Sequence, residues 1–258
     1  MKTISKPLTA TVGLLIACAM NCQASLISEL GILDLNANGG INPATGTAWQ
    51  AGDQYRLIFA TSVGLEATST NIEDYNTFIQ NAANASPLGL SSVTWRVLGS
   101  TETVDARDNT NTNSSGGDGS GESFWLMNGT TKIANDYADF YDGHTNTESI
   151  NISETGGAPL DTGNFQSLWT GSDGSGQRKN DRWLGAAGGL TKGGLFCTCA
   201  SASQWIDRFD LDNTEPRAFY GVSEPLTVMN TIPEPSTFGL LGFAGLVLLL
   251  HRRRFTHR

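Results

Sequence analysis

Histidine is scarce in this 258-residue chain: there are three, and His144 is the one that falls between residues 25 and 230. A zinc site needs several spaced His or Cys ligands, and neither His-Glu-x-x-His nor a paired Cys-x-x-Cys occurs. A Ser-His-Asp triad would have to use His144, and no Gly-x-Ser-x-Gly turn is present to hold its serine. No Gly-x-x-x-x-Gly-Lys-Ser/Thr loop is present to cradle a phosphate. Basic residues are also few, 16 against 25 acidic, for a net charge of −9. Such a chain lacks the basic footprint that nucleic-acid binding requires. Against these absences stand 30 glycines, 39% apolar residues, eleven Phe and six Trp. That content builds a core and excludes global disorder. The length suits one domain with appendages.

The two ends have the layout of addresses. Lys2 and Lys6 precede an apolar stretch, Leu8 to Met20, followed by Cys22-Gln23-Ala24. A basic start, a short greasy middle and small residues at the cut predict a secretory signal cleaved after Ala24. Leu15-Ile16-Ala17-Cys18 offers an alternative, a lipoprotein box that would make Cys18 the lipidated N-terminus. At the other end, Pro233-Glu234-Pro235 leads into a run of apolar residues and glycine from Phe238 to Leu250, then Arg252, Arg253 and Arg254. As a helix this run spans ~20 Å, less than the ~30 Å hydrocarbon core of a bilayer. Snorkelling flanks or local thinning accommodate the mismatch. The arginines stay cytoplasmic by the positive-inside rule, which puts the body on the far side.

Pro-Glu-Pro, a short hydrophobic helix and an arginine cluster, in that order, resemble the PEP-CTERM sorting signal. The resemblance implies export by a Gram-negative bacterium that makes exopolysaccharide. It further implies a membrane protease, an exosortase, that recognises Pro233-Glu234-Pro235 and removes the tail. The alternative is an ordinary C-terminal anchor that is never cut. Residues 1–24 are thus assigned as signal peptide, 25–230 as the exported domain and 231–258 as the sorting segment, with its hydrophobic helix at 238–250.

Removing the +2 of the signal and the +3 of the tail from −9 leaves the body at −14. That charge keeps it soluble and repels nucleic acid and anionic headgroups. Along the body, Leu30 to Leu33 predicts a strand and Asn38-Gly39-Gly40 a turn. Tyr55 to Ser62 and Val93 to Leu98 predict two further strands. Thr70 with Glu73 predicts a capping box, and Ile72, Tyr75, Phe78, Ile79, Ala82 and Ala83 recur at helical spacing, so residues 71–85 predict a helix. Asn128-Gly129 predicts a hairpin between 124–127 and 130–134. Residues 110–122 predict a polar loop. Short apolar pieces follow at Ile150–Ile152, Leu168–Trp169 and Trp183–Leu184, and Arg217 to Val228 predicts a final strand. Gly156 to Gly194 is too glycine-rich to assign. One helix among many short strands predicts an α+β fold with a mostly antiparallel sheet.

This element order is similar to the opening of bacterial C-type-lectin-like, endostatin-like surface domains. The matching segments include Ile58–Ser62, Phe78–Ala83, Val93–Val97, Asp105–Asp108, Asn128-Gly129, Ile133–Asp139, Trp169–Gly171 and Trp205 after a cysteine pair. The resemblance implies the fold. It does not carry sugar binding, because the calcium-binding triplets of true lectins are missing. Glu215-Pro216-Arg217 is the nearest, and arginine supplies no oxygen ligand.

Candidate sites are few. Cys197 and Cys199, the cysteines left after cleavage at Ala24, are a disulfide candidate in an oxidising compartment. Thiols bridging chains and a redox pair are the alternatives. Asp207, Asp210 and Asp212 are the calcium candidates, set against plain turn aspartates. Trp183, beside Arg178-Lys179 and Asp181-Arg182, is the tryptophan best placed to stack on a sugar, set against plain core packing, the commoner fate of a tryptophan. The resulting expectation is a non-enzymatic surface or matrix component without cofactor. Its partners are the general secretion machinery, an exosortase-like protease, the membrane and extracellular polysaccharide. A calcium-assisted carbohydrate-binding module and a carboxylate-pair glycoside hydrolase are the alternatives.

Overall fold

The computed structural model describes residues 25–113, 121–142, 149–161, 163, 166–196 and 202–231. The predicted signal segment, His144, Cys197, Cys199, Pro233–Pro235, the apolar run 238–250 and Arg252–Arg254 lie outside the described residues. Ile27–Met229 is one compact unit, and Met1–Leu26 with Asn230–Arg258 is a second. Among the described residues no helix is long and apolar enough to cross a membrane.

Twelve strands are described: β1 (Leu26–Ser28), β2 (Ile41–Asn42), β3 (Thr47–Ala48), β4 (Gln54–Ala60), β5 (Trp95–Val97), β6 (Ser123–Leu126), β7 (Lys132–Ala134), β8 (Ser167–Trp169), β9 (Leu190–Leu195), β10 (Phe209–Asp212), β11 (Ala218–Ser223) and β12 (Leu226–Asn230). The helices are α1 (Ile72–Asn84), α2 (Ala106–Asn109) and α3 (Tyr137–Phe140). The main sheet runs β1-β12-β4-β11-β8-β9-β10, with β5 on β11 and the β6–β7 pair on β4. Among the described registers the pairings are antiparallel except β4–β6 and β11–β8. The mixed, mostly-strand architecture agrees with the α+β expectation.

Strand β4 explains the layering. Tyr55 to Ala60 are all buried, without the polar alternation of a half-exposed strand. Successive side chains point to opposite faces. Ile58 and Ala60 join a core that includes Phe124, Leu126, Phe140, Trp205 and Tyr220. Phe59 turns the other way, onto Trp95 at 4.9 Å between ring centroids. Helix α1 covers that second face, where Tyr75 and Phe78 pack on Phe219 at 5.3 and 5.7 Å. Gly221 allows this: a Cβ there would lie 2.5 Å from Phe59 and 2.9 Å from Ile79.

Several expectations need correction. Leu30 to Leu33 is not a strand. The chain turns at Leu30 (φ 64°), which sends Leu33 into the core and brings Ile32 against the β6–β7 turn. The cap of α1 is Asn71, whose side chain accepts from the Glu73 amide, one residue past the predicted Thr70. Of the three short apolar pieces, Leu168–Trp169 lies in a strand, whereas 150–152 and 183–184 do not. The predicted last strand is two, β11 and β12, divided at Glu224-Pro225 because proline cannot donate to a ladder. The unassigned glycine-rich stretch contains β8 and most of β9. Its glycines serve close approach: a Cβ on Gly194 would lie 1.9 Å from the Trp205 carbonyl oxygen.

Candidate functional site

Three places in the described structure bear on function. The first is where the chain leaves the sheet toward the sorting segment. β12 ends at Asn230, and Thr231 follows. The Ser25 backbone N–H donates to Thr231 Oγ1 at 2.9 Å, and the Thr231 N–H donates to the Ser25 carbonyl at 2.7 Å. The two hydroxyls are 3.1 Å apart. The residue after the predicted signal cut is therefore bonded to a residue two positions before Pro233.

The second place is the β9–β10 hairpin. Phe209–Asp212 pair with Leu190–Gly193, which brings Lys192 opposite Asp210. Lys192 Nζ lies 2.5 Å from Asp210 and 3.3 Å from Asp207. Lys179 reaches Asp207 at 2.8 Å, and Arg182 reaches Asp210 at 3.1 Å. The Asp210 carboxyl is held below the usual range, first by its Lys192 hydrogen bond and then by Arg182. Lys179 is raised, first by its hydrogen bond to Asp207. Asp212 stands apart and accepts from the Thr214 amide and hydroxyl at 3.0 and 2.7 Å. Among the described residues no three His, Cys, Asp or Glu side chains are grouped to hold a metal ion.

Trp183 lies beside this hairpin. Its carbonyl accepts from Thr191 Oγ1 at 2.9 Å, and the Lys192 amide donates to the Arg182 carbonyl at 2.7 Å. Trp183 is half-buried, while Trp49, Trp95, Trp125, Trp169 and Trp205 are buried. Three of those five spend their indole N–H inside the fold: Trp95 on the Leu90 carbonyl, Trp125 on Ser123 Oγ and Trp169 on the Glu215 carbonyl. The lectin-like triplet is also structural here. Arg217 is buried, donates to Ser167 Oγ at 2.7 Å and lies 5.4 Å over the Trp169 ring.

The third place, missed in the sequence, is a buried polar centre around Arg56. Its guanidinium donates to Glu122, to the Tyr137 hydroxyl and to the carbonyls of Thr110, Asn111 and Ser223. Tyr137 also donates to Glu122. Every guanidinium donor is engaged, so the group ties elements together and offers no hydrogen to a ligand. A charged residue inside an apolar strand (YRLIFA) was the available signal. A buried acid elsewhere, Glu154, accepts from the Ser62 amide at 2.9 Å and from the Ser62 hydroxyl. Lys192 and its place between two aspartates also went unread, because β9 lay in the unassigned stretch.

Compared with known proteins, residues 231–254 match the model of the PEP-CTERM protein-sorting motif. No curated protein matches the chain. The motif marks an exported bacterial protein whose membrane-anchored precursor is processed by an exosortase and sorted to the cell surface.

Proposed function

We propose that the chain is a non-enzymatic component of the bacterial surface or extracellular matrix. It passes through the general secretion machinery, loses its tail to an exosortase and associates with exopolysaccharide. The sorting motif at 231–254 carries this reading. The body is read as C-type-lectin-like. Support comes from β4, α1 and β5, which follow one another in the order on which that resemblance rests. The test is the intact mass of the mature protein from a host with an exosortase, beside a Pro233→Ala, Pro235→Ala variant. Loss of the tail from wild type alone is expected. Retention of residues 236–258 in both would make the segment a plain anchor.

A second reading, a carbohydrate-binding module, is favoured by one observation: Trp183 is the tryptophan left partly exposed, with Arg182 adjoining it. It expects saturable retention on a glycan matrix that Trp183→Ala abolishes, and an EDTA arm tests calcium assistance separately. No retention on any glycan with calcium present ends it. A carboxylate-pair hydrolase is the third reading, and product formation across a glycoside panel distinguishes it.

A further inference from the structure

Ahead of and into β2 the chain reads Asp34-Leu35-Asn36-Ala37-Asn38-Gly39-Gly40-Ile41-Asn42, with Thr45 soon after. The twelve-residue calcium loop draws oxygen ligands from its first, third, fifth, seventh, ninth and twelfth positions. The seventh acts through its backbone carbonyl, and a glycine at the sixth makes the sharp turn. Asp34, Asn36 and Asn38 occupy the first, third and fifth positions of that pattern, and Gly39 is the sixth. Gly40, Asn42 and Thr45 fall at the seventh, ninth and twelfth. Thr45 is the departure, a neutral hydroxyl where such loops carry a bidentate glutamate.

The fold holds this segment at both ends and leaves its middle open. Leu33 is buried, and the Asp34 N–H donates to the Gly129 carbonyl at 3.0 Å. A 3-10 turn follows from Ala37 to Gly40, with Gly39 at φ 70°. A Cβ on Gly39 would meet nothing within 4 Å, so this glycine serves the turn and not close packing. Ile41 then enters the β2–β3 pair opposite Ala48, and Asn42 is buried. Asp34, Asn36 and Asn38 are exposed. Asp34 Oδ1 accepts from the Asn36 backbone and side-chain amides at 2.9 and 3.1 Å, which brings the first and third side chains together. The Asn38 side-chain amide donates to the Ile41 carbonyl at 3.0 Å. Among the described residues no hydrogen bond reaches Asp34 Oδ2, Asn36 Oδ1 or Asn38 Oδ1. Three side-chain oxygens at ligand positions are therefore exposed and unclaimed.

We propose that residues 34–45 form a calcium site. Its oxygens come from one carboxylate, three side-chain amides, the Gly40 carbonyl and the Thr45 hydroxyl. Calcium takes neutral oxygens in a flexible shell, whereas magnesium demands a near-ideal octahedron and keeps its waters, so the loop selects calcium. Ligand charge sets the affinity, and a single carboxylate puts this loop with extracellular modules, which bind at about 10⁻⁴–10⁻³ M. Cytosolic sensors work at about 10⁻⁷–10⁻⁵ M, so the loop fills after export and not before. The −14 charge of the body concentrates cations around it. The site is separate from the β9–β10 hairpin, where Lys179, Arg182 and Lys192 already face Asp207 and Asp210. It goes beyond the proposed function and does not depend on it.

The test titrates calcium chloride into the isotope-labelled full chain in detergent, at about 0.15 M salt to screen diffuse attraction. Amide chemical shifts of residues 36–42 are expected to move and saturate, with a midpoint at about 10⁻⁴–10⁻³ M. Magnesium chloride at the same concentrations should leave them near their starting positions. Asp34→Asn removes the ligand charge at constant shape and is expected to weaken binding about tenfold or more. Thr45→Glu supplies the missing carboxylate and is expected to tighten it about tenfold or more. Both positions are exposed, and unchanged shifts elsewhere in the spectrum report an intact fold. Asp210→Asn should keep the wild-type midpoint. Shifts that stay linear in calcium, or that magnesium reproduces, would reduce the effect to diffuse attraction and overturn the site. A wild-type midpoint in Asp34→Asn, or no tightening in Thr45→Glu, would overturn it as well. Shifts centred on residues 207–212 would move calcium to the hairpin instead.

Discussion

Asn76 of α1 and Asn109 of α2 exchange two side-chain hydrogen bonds, each 2.9 Å long, inside the protein. Asn76 Oδ1 also accepts from the Val97 amide at 3.0 Å, and Asn109 donates to the Val97 carbonyl at 2.7 Å. One pair of amides therefore fastens two helices to the outer edge of β5. Both residues are buried, so each lost bond leaves a group without water to replace its partner. Asn76→Ala is expected to destabilise the mature protein by about 3 kcal/mol, because two partners are orphaned together. Urea unfolding measures it. A loss under about 1 kcal/mol, the worth of an ordinary exposed bond, would contradict the account.

Arg56 makes a sharper case because its fork is fully used. Arg56→Lys keeps the charge but cannot reach Glu122, Tyr137 and three carbonyls at once. A loss of about 3–5 kcal/mol is expected, as for breaking a buried pair from one side. Arg56→Met should cost about as much alone, and less when combined with Glu122→Gln, since the stranded carboxylate then disappears. A double-mutant cycle in urea gives the coupling. Additive costs would mean that the two side chains stabilise independently.

The β6–β7 turn yields a contrast between two glycines. Gly129 has φ 69°, and a Cβ there would sit 1.8 Å from the Ile32 carbonyl oxygen. Gly39 has a similar φ of 70°, with nothing within 4 Å of that position. Gly39→Ala should cost about 1 kcal/mol, the conformational term by itself. Gly129→Ala should cost about 3 kcal/mol or more, because the turn must also move off Ile32. Thermal unfolding of both variants checks the difference, and equal losses would refute the contact.

The β9–β10 ion pairs set a pH window. The Asp210 carboxyl is depressed in the fold, so its stabilisation is present above the unfolded value near ~3.9 and is lost as pH falls through the lower folded value. Lys179 is raised, so its share is present below the unfolded value near ~10.4 and is lost as pH climbs through the folded one. Tyr141 adds to the alkaline loss, since burial pushes its phenol up to about 12. Both hairpin groups are well exposed, so the effects are small. Melting temperature against pH should show Asp210→Asn differing from wild type near neutrality and converging on it below pH ~3. Lys179→Met should converge on the alkaline side. A constant offset across the acid range would rule out the Asp210 linkage.

The local rules that need few distant partners were legible in the chain. β4 reads as an apolar, β-branched and aromatic run between turn residues, α1 as a 3.6-residue period, and the β6–β7 hairpin as Asn-Gly. The sorting motif is legible for the same reason, because its parts are contiguous and each acts through composition and length. Trp183 stood out through its polar neighbours, and it is the tryptophan that the fold leaves partly exposed.

Tertiary structure decided what depends on partners far apart in sequence. Leu30 to Leu33 has strand composition, yet the close approach of Gly129 bends it into a turn. β9 contains Lys-Gly-Gly, which strand propensity disfavours, and it forms because β8 and β10 flank it. Asp207 and Asp210 look like oxygen donors in one dimension, and the fold sets Lys179, Arg182 and Lys192 against them. Arg56 and Glu122 are 66 positions apart, as are few pairs that a reader of sequence would join. By itself the sequence determined the local elements and the address, because a helical period, a turn dipeptide and a sorting tail are written in neighbouring residues. Which charges meet, which aromatics are buried and where the two ends of the body are tied together were set only when distant strands closed into one sheet. Those contacts depend on chain topology, which no short window contains.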